Sequence, residues 1–153
     1  MSLTSVLDGY LATAVATMDA PPVTAVIGAE PDVVNTPTIG YWYLGTKVGD
    51  TQSWAPNTLN RTQEVQGWRI RIYLPLGPTF APSSPAYEVW VVTLVDAIRG
   101  QLYGHVGAGG AATGQGMELT DAIAGYLPMG KIWCRIVTMD WWAMLTDTHV
   151  IAV

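Results

Sequence analysis

Charge is what this chain most conspicuously lacks. Only 12% of its 153 residues are Asp, Glu, Lys or Arg, while 50% are hydrophobic; an ordinary soluble domain is about 25% charged. Small monomers rarely leave large apolar patches in water, and such patches mark contact with other proteins. Twelve acidic and seven basic residues give a net charge of −5, and the basic ones form no run. A surface that grips nucleic acid needs clustered Lys and Arg to neutralise phosphates. That class is excluded, although DNA can still pass nearby without being held.

Cysteine is almost absent. Cys134 stands alone, which excludes an internal disulfide and a multi-cysteine zinc site. Within Lys131-Ile132-Trp133-Cys134-Arg135-Ile136 it reads as a small strand residue rather than a nucleophile. Long apolar runs are missing too. The uncharged stretches 72–87 and 100–117 are broken by Pro75, Pro78, Pro82 and Pro85 in the first and by glycines in the second. Neither resembles the roughly 20 apolar residues of a membrane helix. The first residues lack the basic start and apolar core of a secretory signal, so a cytoplasmic origin without membrane contact is expected.

Catalytic patterns are equally scarce. His105 and His149 lie far apart, outside any metal-ligand spacing. Gly107-Ala108-Gly109-Gly110 is glycine-rich like a phosphate loop, but no Gly-Lys-Ser/Thr follows it. Glu30 and Asp32 flank Pro31 in an apparent turn, and no serine occupies a Gly-x-Ser-x-Gly elbow. The reading is a non-enzymatic protein with no cofactor and no metal.

What remains is a well-ordered series of elements in a chain long enough for one domain, burying roughly two-thirds of its unfolded surface. Leu3, Val6, Leu7, Tyr10, Leu11, Ala14, Val15 and Met18 recur at three- and four-residue steps, which predicts an amphipathic helix. Ser2 or Thr4 can cap it, and Pro21-Pro22 stops it. Residues 23–27 read as a short extended piece, with turns at Glu30-Pro31-Asp32 and Asn35-Thr36-Pro37. Residues 38–46, β-branched and aromatic on both faces, predict a covered strand. Gly49-Asp50 opens a long polar excursion through Trp54, Pro56 and Asn60.

Residues 64–74 then alternate, Trp68, Ile70, Ile72 and Leu74 to one side and Arg69, Arg71 and Tyr73 to the other. A second helix is expected from Pro85 to about Tyr103, with Ser84 as N-cap, although the β-branched run Val89 to Thr93 also suits a strand. Residues 104–116, rich in glycine and alanine, predict a mobile loop, and 118–127 a short helix with Leu119, Ile123 and Leu127 four apart. Closing strands are expected at 132–137 and 149–153, joined through Thr146-Asp147-Thr148. The sum is α+β: a mainly antiparallel sheet with two helices packed on it, in a single domain.

Two clusters stand out as candidate contacts. Adjacent tryptophans in extended structure point to opposite sides, so Trp141-Trp142 offers one ring to the core and one to the outside, and tryptophan is enriched at interface hot spots. Arg69 and Arg71 share a strand face and are expected to pair with carboxylates.

This order of elements resembles the tail terminator (tail completion) proteins of long-tailed bacteriophages, of the lambda type. The likeness lies in the helix of residues 3–18, in Pro37-Thr38-Ile39-Gly40-Tyr41-Trp42-Tyr43-Leu44-Gly45, and in Gln66-Gly67-Trp68-Arg69-Ile70-Arg71-Ile72-Tyr73-Leu74-Pro75, with its aromatic-Leu-Pro ending. The resemblance implies a homo-oligomeric ring, usually a hexamer, in the neck of the virion. Such a ring caps the tail tube, ends its polymerisation, presents a surface to the head–tail connector protein, and lets viral DNA through its lumen. Assembly would take place in the host cytoplasm. Trp141, Trp142, Gly107, Gly109, Gly110, Arg69 and Arg71 become candidate contacts with a neighbouring subunit or the tube. The glycine-rich 104–116 segment and the low charge depart from smaller members of the family. The rival readings are another head–tail connector subunit (adaptor or stopper) and, from a different class, a small β-rich module whose aromatics line a ligand pocket.

Overall fold

Apolar residues spaced three and four apart wind the first segment into helix α1 (Leu3–Val15). Val6, Leu7, Leu11 and Ala14 form its buried stripe. The chain leaves through a tighter turn in which the Met18 amide donates to the Val15 carbonyl at 3.0 Å, and Met18 stays buried. The computed structural model describes residues 3–18, 21–54, 59–77, 85–104 and 118–150. Ser2 and Ser84, invoked above as caps, lie outside them.

Helix α2 (Pro85–Gly104) spans the expected residues. It buries Tyr87, Trp90, Val91, Leu94, Ile98 and Leu102 in the same core as α1. The indole N–H of Trp90 donates to the Pro21 carbonyl at 2.9 Å, fixing α2 against the segment that follows α1.

The sheet contains β1 (Ala25–Ile27), β2 (Thr38–Trp54), β3 (Leu59–Pro75), β4 (Glu118–Leu119), β5 (Ile123–Met129) and β6 (Ile132–Val150). Its order is β1-β2-β3-β6-β4, with β5 also on β6. Only β1 runs parallel to its neighbour; the other pairings are antiparallel. The fold is therefore α+β, as the pattern of elements predicts.

Side-chain alternation gives the sheet two different faces. Toward the helices point Ile39 and Tyr41 of β2, Ile70, Ile72 and Leu74 of β3, and Val137, Met139, Trp141 and Ala143 of β6, all in the main core. The opposite face is crossed by the segment linking β1 to β2. Its Pro31 sits so close to Gly40 that a Cβ there would lie 2.7 Å from the proline Cδ. Its Val34 packs with Tyr73 and Cys134 in a smaller cluster.

β2, β3 and β6 stay paired out to Trp54↔Leu59 and Leu59↔Val150, forming an arm of residues 48–54, 59–66 and 143–150. At its base the β2–β3 register shifts between Tyr43 and Gly45, where Gly45 takes φ 149°. That positive φ favours glycine at the bulge.

The arm corrects one expectation. The polar excursion after Gly49 is not a loop but the continuation of β2 through Trp54 and of β3 from Leu59. A ladder of backbone bonds holds Thr51, Gln52 and Ser53, and such a ladder needs no apolar alternation. Likewise β6 is one continuous strand: Thr146, Asp147 and Thr148 pair with Gln63, Thr62 and Arg61 instead of forming a connection. Residues 151–153 lie outside the described residues.

Residues 118–127 do not form a helix. They give β4 and most of β5, because the long β6 supplies a paired edge that outweighs the four-residue spacing of Leu119, Ile123 and Leu127. Pro128 fits β5 because proline is tolerated on edge strands. Met129 pairs with Ile132 around a two-residue turn whose Gly130 has φ 68°.

Candidate interaction surface

The face opposite the helices carries the sequence-predicted arginines. Register places Arg69 directly across from Asp140, and the two form a bidentate pair, Nε to Oδ1 at 2.9 Å and Nη2 to Oδ2 at 3.1 Å. The hydrogen bond to Asp140 raises the pKa of Arg69 above its ordinary value. One register position pair along, Arg71 sits across from Thr138 and donates from Nε to the threonine hydroxyl at 2.9 Å. Its guanidinium lies 5.4 Å from the centre of the Trp42 ring, within cation–π range. The expected carboxylate pairing thus holds for Arg69, whereas Arg71 is held by a hydroxyl and an indole.

The tryptophan pair splits across the sheet as alternation demands. Trp141 is buried in the helix-side core. Trp142 is half-buried on the other face, and its ring lies over Gly67, where a Cβ would come within 2.4 Å of Cζ3. The glycine is what lets the indole lie flat on the strand. Gly107, Gly109 and Gly110, like the rest of 105–117, lie outside the described residues.

The most exposed indole described is a different one. Trp133 is 56% exposed and lies on the helix-side face of β6, two residues from Arg135. The Arg135 guanidinium lies 5.0 Å from the Tyr126 ring and 5.9 Å from that of Tyr87. Its Nη2 is 3.5 Å from Glu88 Oε1 at the start of α2. Val89 and Val92 are exposed on the same helix, and Tyr126 is exposed on β5. Arg135 thus sits among Tyr126, Tyr87 and Glu88, with exposed Trp133 two residues along the same face of β6. Sequence reasoning fixed on the double tryptophan and passed over this group. The signal was there: Trp133 and Arg135 alternate on one side of a closing strand, and an arginine on a core-facing row requires a carboxylate nearby.

Burial is the main cause of four other shifts. It pushes Tyr41 up to about 12, helped by the hydrogen bond its hydroxyl donates to Asp8 Oδ1 at 2.8 Å. Burial also raises Tyr73, Tyr87 and Cys134, so the Cys134 thiol stays protonated and unreactive at neutral pH. Among the described residues no group of three or more His, Cys, Asp or Glu is placed to hold a metal ion, and no helix is long and apolar enough to cross a membrane.

The described geometry comprises a mainly antiparallel sheet, exposed Trp133 and Tyr126 beside Arg135 where α2, β5 and β6 meet, and a three-stranded arm. The sequence matches no protein-family model and no curated protein.

Proposed function

We propose that this chain is a structural subunit of a bacteriophage tail or neck that assembles into a ring, in the manner of the tail terminators it resembles. The observation that carries the reading is the uncovered surface of Trp133, Tyr126, Val89 and Val92 on a chain with only 12% charged residues. Large exposed aromatics are costly in water and favour burial against other protein. The ring partners are copies of the same chain, the tail tube protein and the head–tail connector protein. The acidic balance and the neutralisation of Arg69 by Asp140 suit a subunit that lets DNA pass through a lumen without holding it.

Native mass spectrometry of the purified chain, across concentration and with tail tube protein added, tests the assembly. A closed oligomer is the expected outcome, with six subunits as the family likeness implies. A species that stays monomeric under all these conditions overturns the proposal. Phage lacking the gene should make tails of uncontrolled length that fail to join heads. Tails of normal length would remove the terminator role and leave that of a connector.

A further inference from the structure

We propose that residues 28–37 form a strap that opens and closes over the far face of the sheet as a unit, while the helices and the long strands stay folded. The inference goes beyond the assembly reading and stands whether or not the chain forms a ring.

The course of the strap follows from strand direction. β1 runs parallel to β2, with Ala25↔Thr38 and Ile27↔Gly40 in register, so the chain leaving Ile27 must travel back along β1 to enter β2 at Thr38. Parallel neighbours are usually joined by a dozen or more residues that include a helix. Residues 28–37 make the crossing with no helix or strand of their own. From Gly28 to Thr36, all described, only Pro31 and Val34 are buried; the other residues are exposed, Val33 by 65%.

Neither buried residue belongs to the core that the helices share. Pro31 lies against Gly40. Val34 packs with Tyr73 and Cys134 in a separate cluster, bordered by Leu127 and Ile136. Lifting the strap therefore takes nothing out of the helix-side core.

The two ends are held more firmly than the middle. The Thr24 amide donates to the Pro37 carbonyl at 2.9 Å, and the Thr38 hydroxyl donates to the Thr36 carbonyl at 2.8 Å. At the other end Gly28 lies against the Tyr41 hydroxyl. Anchored ends act as hinges: opening returns chain entropy to the residues between them and gives up two buried side chains. Few buried apolar contacts mark the segments that open locally, below the free energy of global unfolding. Opening uncovers the Tyr73 ring and the Cys134 thiol, both 0% exposed beneath the closed strap.

Cys134 is the only cysteine in the chain, so its reaction with excess maleimide reports the opening. In the native chain it should label without global unfolding, with a urea dependence much shallower than that of unfolding, because opening exposes little surface. Val34→Ala removes the equivalent of two buried methylenes and should speed labelling without urea about tenfold. Val34→Thr, which keeps the shape but buries a hydroxyl, should speed it as well. Leu94→Ala, in the helix-side core, should lower the urea midpoint of unfolding yet leave the labelling rate without urea unchanged. Labelling that follows the urea dependence of global unfolding, or that Leu94→Ala accelerates as much as Val34→Ala, overturns the strap. So does labelling that responds to Leu127→Ala, on the β5 side of the cluster, and to neither Val34 variant, since access would then come from the sheet edge.

Discussion

The two faces of this sheet are stabilised by different physics. On the helix side, rows of Ile, Leu, Met and Trp from β2, β3 and β6 interlock with the buried stripes of α1 and α2. On the far side the elements are few and particular: an Arg69–Asp140 pair, an Arg71–Trp42 stack, Trp142 laid on Gly67, and Pro31 and Val34 of the crossing segment. The first face gains its energy from area, which is large and non-directional. The second gains it from geometry, where each contact depends on one partner's shape. A residue lost from the first removes volume from a shared core. A residue lost from the second affects mainly its own partner.

That contrast can be broken in several places. The largest effect is expected at Trp141→Ala, which empties a fully buried site in the helix-side core and should cost about 3–5 kcal/mol. Denaturant unfolding gives the number; a loss below about 1 kcal/mol would mean the core does not bear on this ring as described.

Alkaline titration comes next. Tyr41 titrates near 12 in the folded protein and near 10 when unfolded. The raised value means that its contribution is complete below about pH 10 and lost as pH climbs from there toward 12, at up to about 1.4 kcal/mol per unit. Tyr41→Phe should flatten that slope, and an unchanged slope would assign it to Tyr73 and Tyr87 instead.

On the far face, Gly67→Ala drives a methyl into the Trp142 ring and should cost about 1–3 kcal/mol. The penalty should shrink when Trp142→Ala is present in the same chain. Equal penalties in both backgrounds would show that Gly67 matters for its backbone and not for the indole above it.

The smallest effect belongs to Asp140→Asn. Arg69 and Asp140 remain 34% and 21% exposed, so solvent screening holds the loss to about 1 kcal/mol or less, diminishing with added salt. A loss comparable to that at Trp141 would erase the distinction between the faces.

How much of this was legible in the chain depends on what each element uses to hold itself. α1 buries a stripe whose three- and four-residue spacing reads directly from Leu3 to Met18, whereas the apolar residues of α2 nearly encircle it and its stripe from Tyr87 to Leu102 emerges only in the fold. Strands 64–74 and 132–137 likewise show their faces by alternation. The arm leaves no such trace, since Thr51-Gln52-Ser53 and Thr146-Asp147-Thr148 are placed by backbone pairing and their side chains need not be apolar. β5 was hidden for a related reason: its Gly125 and Pro128 look like strand breakers, and only the presence of β6 alongside makes it a strand. Among candidate contacts, the opposite placement of Trp141 and Trp142 followed from alternation alone. The exposed corner at Trp133 needed the fold, because Glu88 and Tyr126 approach Arg135 only when α2 and β5 are both in place.

The pairing of β3 with β6 also sets the order in which the molecule can be made. Strand β3, the middle of the sheet, lies beside residues 134–150, which leave the ribosome long after it. The hairpin of β2 with β3 and the two helices can form from chain already synthesised, but the far edge of β3 stays open throughout that interval. Contacts between such distant stretches must first overcome the entropy of closing the chain between them, which slows folding. An open central strand in a chain this apolar is prone to pair with the wrong neighbour while it waits. Yield of the native subunit should therefore depend on growth temperature and on chaperone supply more steeply than its final stability would indicate.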